Sequence, residues 1–148
     1  MLPDFLKSQL PPGVHAAGWA EIRDKFGGGA HREHLLDGLR VGGSVLKAVG
    51  CPTLWLDGSF VTEKPDPNDF DACWETAGVD IALLRTLDPV MLTFDHDRLA
   101  QRMKYGGEFF PNVREGASGL LFQEFFQRDK THGGAKGIVE LDLRSFSP

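Results

Sequence analysis

The chain has 148 residues, 41% of them hydrophobic, enough for one domain with a core, expected over residues 1–148, and too few for two ordinary ones. Its 21 acidic and 16 basic residues give a formal charge of −5, which excludes a broad polyanion-binding face and makes any contact with nucleic acid local. Cys51 and Cys73 lack CxxC spacing, no apolar run reaches the roughly 20 residues that cross a bilayer, and MLPDFLKSQLPPG has no signal-peptide core, so the expected setting is the reducing cytoplasm with no membrane partner.

Residues 1–18, with Pro3, Pro11, Pro12 and Gly13, are expected to form an extended arm packed on the domain through Leu2, Phe5, Leu6 and Leu10. Trp19, Ile22 and Phe26 recur at helical spacing ahead of Gly27-Gly28-Gly29 and predict a short amphipathic helix. A longer helix is predicted over residues 31–49, where Leu35, Leu39, Leu46 and Val49 share a face and Gly50 ends the run. Residues 53–56 read as a strand stopped by Asp57-Gly58-Ser59. Pro65 and Pro67 keep residues 62–68 irregular, and residues 69–74 read as a second strand. Beyond Gly78 the spacing predicts a helix over 79–87, a strand over 90–94, and a helix over 98–105 closed by Gly106-Gly107. A helix over 118–128 and an alternating strand over 138–143 follow. Helices and strands mixed in this way indicate the α+β class.

The chemistry concentrates in residues 54–74, LWLDGSFVTEKPDPNDFDACW. On a strand, Asp69 and Asp71 point to one side with Cα atoms roughly 6.6 Å apart, while Phe70 and Ala72 point to the other and can enter the core. Such a carboxylate pair suits Mg²⁺, which takes hard oxygen ligands and shares them with substrate phosphates. Gly58 lets the backbone turn tightly, Ser59 offers a hydroxyl and an N–H to phosphate oxygens, and Lys64 is the nearby cation. A phosphate cradle facing a carboxylate pair is an arrangement for phosphoryl transfer. Other runs are weaker. His132-Gly133-Gly134-Ala135-Lys136-Gly137 has the composition of a phosphate loop but precedes a strand, and reads as a connection. His31 and His34 lack further ligands at diagnostic spacing. Lys104-Tyr105 reads as a solvated helix end, and Gly43-Ser44 has no Asp-x-Asp downstream.

Gly58-Ser59, nine intervening residues and Asp69-Phe70-Asp71-Ala72 resemble the signature of the nucleotidyltransferase (DNA polymerase β-like) superfamily: Gly-Ser, a variable spacer, then Asp-hydrophobic-Asp-hydrophobic. Over most of its length the chain also resembles a family of small bacterial and phage proteins carrying a run like LDGSFVT followed by PND and a second acid. The superfamily resemblance implies a nucleotidyltransferase-like mixed β-sheet flanked by α-helices, with an N-terminal helical region. It also implies two Mg²⁺ or Mn²⁺ ions and transfer of NMP from an NTP to a hydroxyl on RNA, protein or a small molecule. It further implies a third carboxylate from a neighbouring strand. Asp142 in GIVELDL is favoured, with Glu140 on the same strand face, ahead of Asp88 and Asp95 flanking VMLTF. The expected catalytic and metal set is thus Asp69, Asp71 and Asp142, and the nucleotide set is Gly58, Ser59 and Lys64. Two departures stand out: Thr62-Glu63 where many small members carry Arg-Gly, and Asp57 where an apolar residue is usual. Analogy with small relatives places such a protein in a toxin-antitoxin or phage-defence pair with a cognate partner. The alternatives are a catalytically inactive module that binds a partner protein, as an antitoxin or regulatory subunit does, and a metal-dependent phosphodiesterase or nuclease.

Overall fold

In the computed structural model, which describes residues 1–148, strands β1 (Gly13–Ala16), β2 (Thr53–Asp57), β3 (Phe70–Trp74), β4 (Gly107–Pro111) and β5 (Gly137–Asp142) form one sheet in the order β1-β5-β2-β3-β4. β2 runs antiparallel to β3 and β5, whereas β1–β5 and β3–β4 are parallel pairs. The helices are α1 (Trp19–Phe26), α2 (Ala30–Ala48), α3 (Ile81–Leu87), α4 (Asp95–Tyr105) and the single turn α5 (Phe122–Phe125). The protein is therefore mixed α+β, and no helix is long and apolar enough to cross a membrane.

Alternation along the strands sorts side chains onto two faces. Leu54, Leu56, Phe70, Ala72, Trp74 and Phe109 belong to a 25-residue core shared with α1 and α2, in which Ile22, Phe26, Leu35, Leu39 and Leu46 are buried. The other face carries a smaller apolar cluster of Trp55, Cys73, Phe126 and Ile138, with Phe110, Phe122 and Phe125 packed against it. Since Trp55 and Cys73 face this second side, so do Asp57 and Asp71, two residues along each strand.

α2 crosses close to the end of α4. A Cβ added at Gly38 would stand 1.7 Å from the carbonyl oxygen of Tyr105. Alanine normally improves a helix over glycine by about 1 kcal/mol. Here the contact is with backbone, so overpacking falls at the upper end of about 1–3 kcal/mol and wins. Gly38→Ala is expected to lower the denaturant midpoint, with m unchanged; a higher midpoint would show that the two helices have room to part.

Several elements differ from the sequence expectation. The arm contributes β1, an edge strand, because Gly13–Ala16 pairs in parallel register with Gly137–Glu140. The strand expected over 90–94 is a 3₁₀ turn, Pro89–Leu92, with Met91 buried in the core. A proline at its start sets φ for a turn and supplies no ladder N–H. The helix expected over 118–128 is only α5. α4 opens on a left-handed turn at His96, Asp97 and Arg98 (φ 53°, 52° and 58°) and is right-handed only beyond it, close to the expected 98–105; the left-handed turn costs roughly 1–2 kcal/mol per residue for side chains bearing a Cβ. β4, which directly follows Gly106, has no counterpart among the expected strands.

Candidate metal centre

The antiparallel register sets Asp57 opposite Asp71, and the parallel register sets Asp71 opposite Glu108. Three adjacent strands thus present carboxylates in one row on the second face, and Asp69 adds another at the entrance to β3. Oxygens of Asp69, Asp71 and Glu108 all lie within 4.8 Å of one another, each side chain partly buried. Asp57 stands aside from this trio. It is 5% exposed and paired with Lys136, Nζ to Oδ1 2.9 Å. α4 supplies flanking cations: Arg102 Nη1 lies 3.5 Å from Glu108 Oε1, and Arg98 stacks 3.9 Å from the centre of the Phe110 ring.

Crowding four acids in a half-dry cleft makes each harder to ionise. Burial first, then the charges of Asp57, Asp69 and Glu108, push the Asp71 carboxyl up to about 7, against the pull of Lys136. Burial also raises Asp69, opposed by Arg102 and Lys64. It raises Glu108 too, joined there by repulsion from Asp69 and opposed by Arg102. In Asp57 burial wins over the attraction of Lys136. Hard oxygen donors that repel one another fit a divalent cation, which would relieve the repulsion.

These shifts have a sign. An acid whose folded pKa exceeds its unfolded value binds more protons when folded, so its contribution to stability is full below the unfolded pKa and is lost as pH rises through the folded one. For Asp71 that window runs from about 4, the unfolded value, to about 7. In EDTA, the stability of wild type relative to Asp71→Asn is expected to fall on the order of 2–4 kcal/mol between pH 4 and pH 8, read from denaturant melts. A difference that stays flat with pH would mean that Asp71 is ionised throughout.

Gly58 occupies φ 88°, ψ −178°, a region essentially reserved for glycine, and an added Cβ would meet the Asp71 backbone N at 3.1 Å. The chain then turns through the 3₁₀ segment Ser59–Val61, anchored by buried Phe60 and Val61. Behind it, the guanidinium of Arg32 donates to the carbonyls of Phe26, Phe60, Thr62 and Lys64. In front, a cavity of about 230 Å³ is lined by Asp57, Gly58, Ser59, Thr62 and Lys136. A second, of about 400 Å³, extends from Asp57 and Asp71 to an aromatic wall of Phe110, Phe122, Phe125 and Phe126. The two share Gln9, Asp57, Gly58, Thr131 and Lys136 as lining residues.

Of the residues singled out from sequence, Asp69, Asp71, Gly58 and Ser59 come together. Asp142 does not, which corrects that assignment. It lies opposite Thr53, at the far end of β2 from Asp57, and is bound to Arg144, Nε to Oδ1 3.0 Å. Glu140 accepts from Trp55 Nε1 at 3.0 Å, Asp88 is buried against Lys104 Nζ at 3.0 Å, and Asp95 opens α4 outside the trio. Glu108 holds the place expected of a third carboxylate. Lys64 is exposed and lines neither cavity, though its charge reaches Asp69. His31 Nε2 contacts the Pro67 carbonyl, tying α2 to the loop before β3. Glu108, Arg98, Arg102 and Lys136 were missed. The only sequence signal for the first is the short alternation Gly107-Glu108-Phe109-Phe110 after the α4 glycine end.

A family model described as "Family of unknown function (DUF6932)" matches residues 3–142. The chain belongs to that family. No curated protein and no solved structure matches it. DUF6932 membership thus spans β1 through β5 and includes Asp57, Asp69, Asp71, Glu108 and Lys136.

Proposed function

We propose that the protein is a nucleotidyltransferase dependent on Mg²⁺ or Mn²⁺, with a nucleotidyltransferase-like arrangement of sheet and helices, moving NMP from an NTP to a hydroxyl acceptor. The observation that carries this reading is the carboxylate trio of Asp69, Asp71 and Glu108 beside the Gly58-Ser59 turn, on one face of one sheet. Asp69, Asp71 and Glu108 would hold the cation, which would neutralise phosphate charge and align the attacking and leaving oxygens. Gly58 keeps the backbone free of a Cβ next to Asp71, leaving room for a phosphate to approach, and the Ser59 hydroxyl lines the adjoining cavity. In the reaction the acceptor hydroxyl gives up its proton to water, its oxygen bonds to the α-phosphorus, the bond from that phosphorus to the bridging oxygen of the β-phosphate breaks, and pyrophosphate leaves. The Phe122 and Phe125 wall offers an apolar surface on which a base can stack.

The test is incubation with Mg²⁺ or Mn²⁺, each labelled NTP, and RNA or cell lysate, beside an Asp69→Asn, Asp71→Asn double variant. Label transfer by wild type alone is the expected result. Binding of metal and nucleotide without transfer would leave a silent nucleotide-binding module, and absence of both label and any metal-dependent rise in Tm would sink the reading.

A further inference from the structure

The loop over residues 127–136, of which the sequence marks only the stretch from His132 as a glycine-rich connection, forms one wall of the larger cavity. It closes on itself through Lys136 N–H to Gln127 O at 2.8 Å and Asp129 N–H to Gly134 O at 3.0 Å. Its end is pinned where the Gly137 N–H donates to Leu10 O at 3.1 Å and where an added Cβ would meet Pro11 O at 2.1 Å. Lys136 is thereby set at the boundary of both cavities with its side chain 23% exposed. Arg128 and Lys130 line the larger cavity beside it. The acid between them, Asp129, is occupied by the N–H groups of Thr131 and His132, each at 3.0 Å from Oδ1. The larger cavity therefore has Asp57 and Asp71 on its sheet side and cations on the loop opposite.

An ammonium carries three donors, and the ion pair with Asp57 Oδ1 at 2.9 Å can engage no more than one of them. The buried carboxylate thus positions the lysine without exhausting it. The segment after Ser59 offers Thr62-Glu63 and no inward-facing cation, so Lys136 is the basic residue that lines both cavities, the smaller one beside the Gly58-Ser59 turn and the larger one beside Asp71.

Resting on the nucleotidyltransferase reading, we propose that Lys136, positioned by Asp57 and assisted by Arg128 and Lys130, binds the β- and γ-phosphates of the nucleotide. Lys136 is then the cation that distinguishes a triphosphate from a monophosphate at this site. Asp57 acts as its positioning residue and not as a metal ligand.

The test is calorimetric titration, with Mn²⁺ present, of a non-reactive α,β-methylene NTP and of the matching NMP into wild type, Lys136→Met, Lys136→Arg and the double variant Asp57→Asn, Lys136→Met. Lys136→Met is expected to weaken NTP binding about 10- to 100-fold, the worth of a charge-assisted hydrogen bond, and NMP binding by less than about threefold. Lys136→Arg should retain most of the NTP preference. Lys136→Met alone leaves Asp57 buried without a counter-charge, so the double variant is the decisive one: with the charge removed at both positions its Tm should return towards wild type while the NTP preference stays lost. A folded double variant with wild-type NTP affinity would overturn the proposal and leave the nucleotidyltransferase reading intact. Wild type that takes up Mn²⁺ but no nucleotide would overturn both.

Discussion

Glu108→Gln is expected to lower the proposed nucleotidyl transfer roughly 10²- to 10³-fold, the effect of removing one preorganised charged group from a reaction site, whereas Asp142→Asn should stay within about twofold of wild type. The two acids separate cleanly by position. Glu108 sits opposite Asp71, with oxygens inside the 4.8 Å spread of the trio. Asp142 lies beside Thr53, four residues along β2 from Asp57 and so about 13 Å away at the rise of a strand. Nor should the loss at Glu108 come from unfolding. Glutamine keeps the shape and removes a carboxylate that Asp69 repels, so the metal-free protein should melt no lower than wild type, while Mn²⁺ titrations show weaker binding. Arg102 loses a partner, but at 3.5 Å and 35% exposure that pair contributes little. Transfer surviving in Glu108→Gln and lost in Asp142→Asn would return the third ligand to β5.

The half of the site that could be read from sequence is the half that is local. Asp69 and Asp71 lie on one strand, and the period of two fixes their common side whatever the tertiary fold. Gly58-Ser59 is equally local, since the φ and ψ of the turn admit no other residue at 58. Glu108 was not legible, because its place depends on β4 pairing in parallel with β3, and the connection between them passes through α3 and α4. Parallel neighbours leave no hairpin signal. β4 also begins at Gly107, where glycines read as the end of a helix, and it stops at Pro111, leaving three residues of alternation. Asp142 misled for the converse reason. GIVELDL alternates as a strand should, and both the strand and its face were read well, but strand direction and register decide which end of the sheet an acid occupies, and β5 runs antiparallel to β2. Lys136 was hidden by the same rule: a loop's composition carries no record of what it folds over.

Arg32→Met is expected to destabilise the protein by roughly 3–5 kcal/mol, lowering the denaturant midpoint, and to weaken transfer in the fraction that remains folded. Arg32 lies in the first turn of α2, where a cation opposes the helix dipole, so the helix itself gives no reason for an arginine there. Tertiary bonding gives one. The side chain is 8% exposed. Nη1 donates to Phe26 O at 2.9 Å and Phe60 O at 2.7 Å, and Nη2 to Thr62 O at 2.9 Å and Lys64 O at 2.6 Å. These carbonyls belong to the end of α1 and to the irregular segment after Ser59, which two prolines keep out of any sheet ladder. Methionine fills similar volume but leaves carbonyls without donors, each costing about 1–3 kcal/mol when buried. Lysine is the informative control. It keeps the charge, but its three donors radiate from one atom and cannot reach four carbonyls spread across a fork, so Arg32→Lys should fall between wild type and Arg32→Met. If charge alone mattered, with Asp66 as the attracting group, lysine would match arginine. Because the segment held by Arg32 is continuous with Gly58-Ser59, while the carboxylate trio hangs from β3 and β4, loss of the fork should reduce nucleotide affinity more than Mn²⁺ affinity. Equal loss of both would mean that the whole sheet face, and not this segment, depends on Arg32.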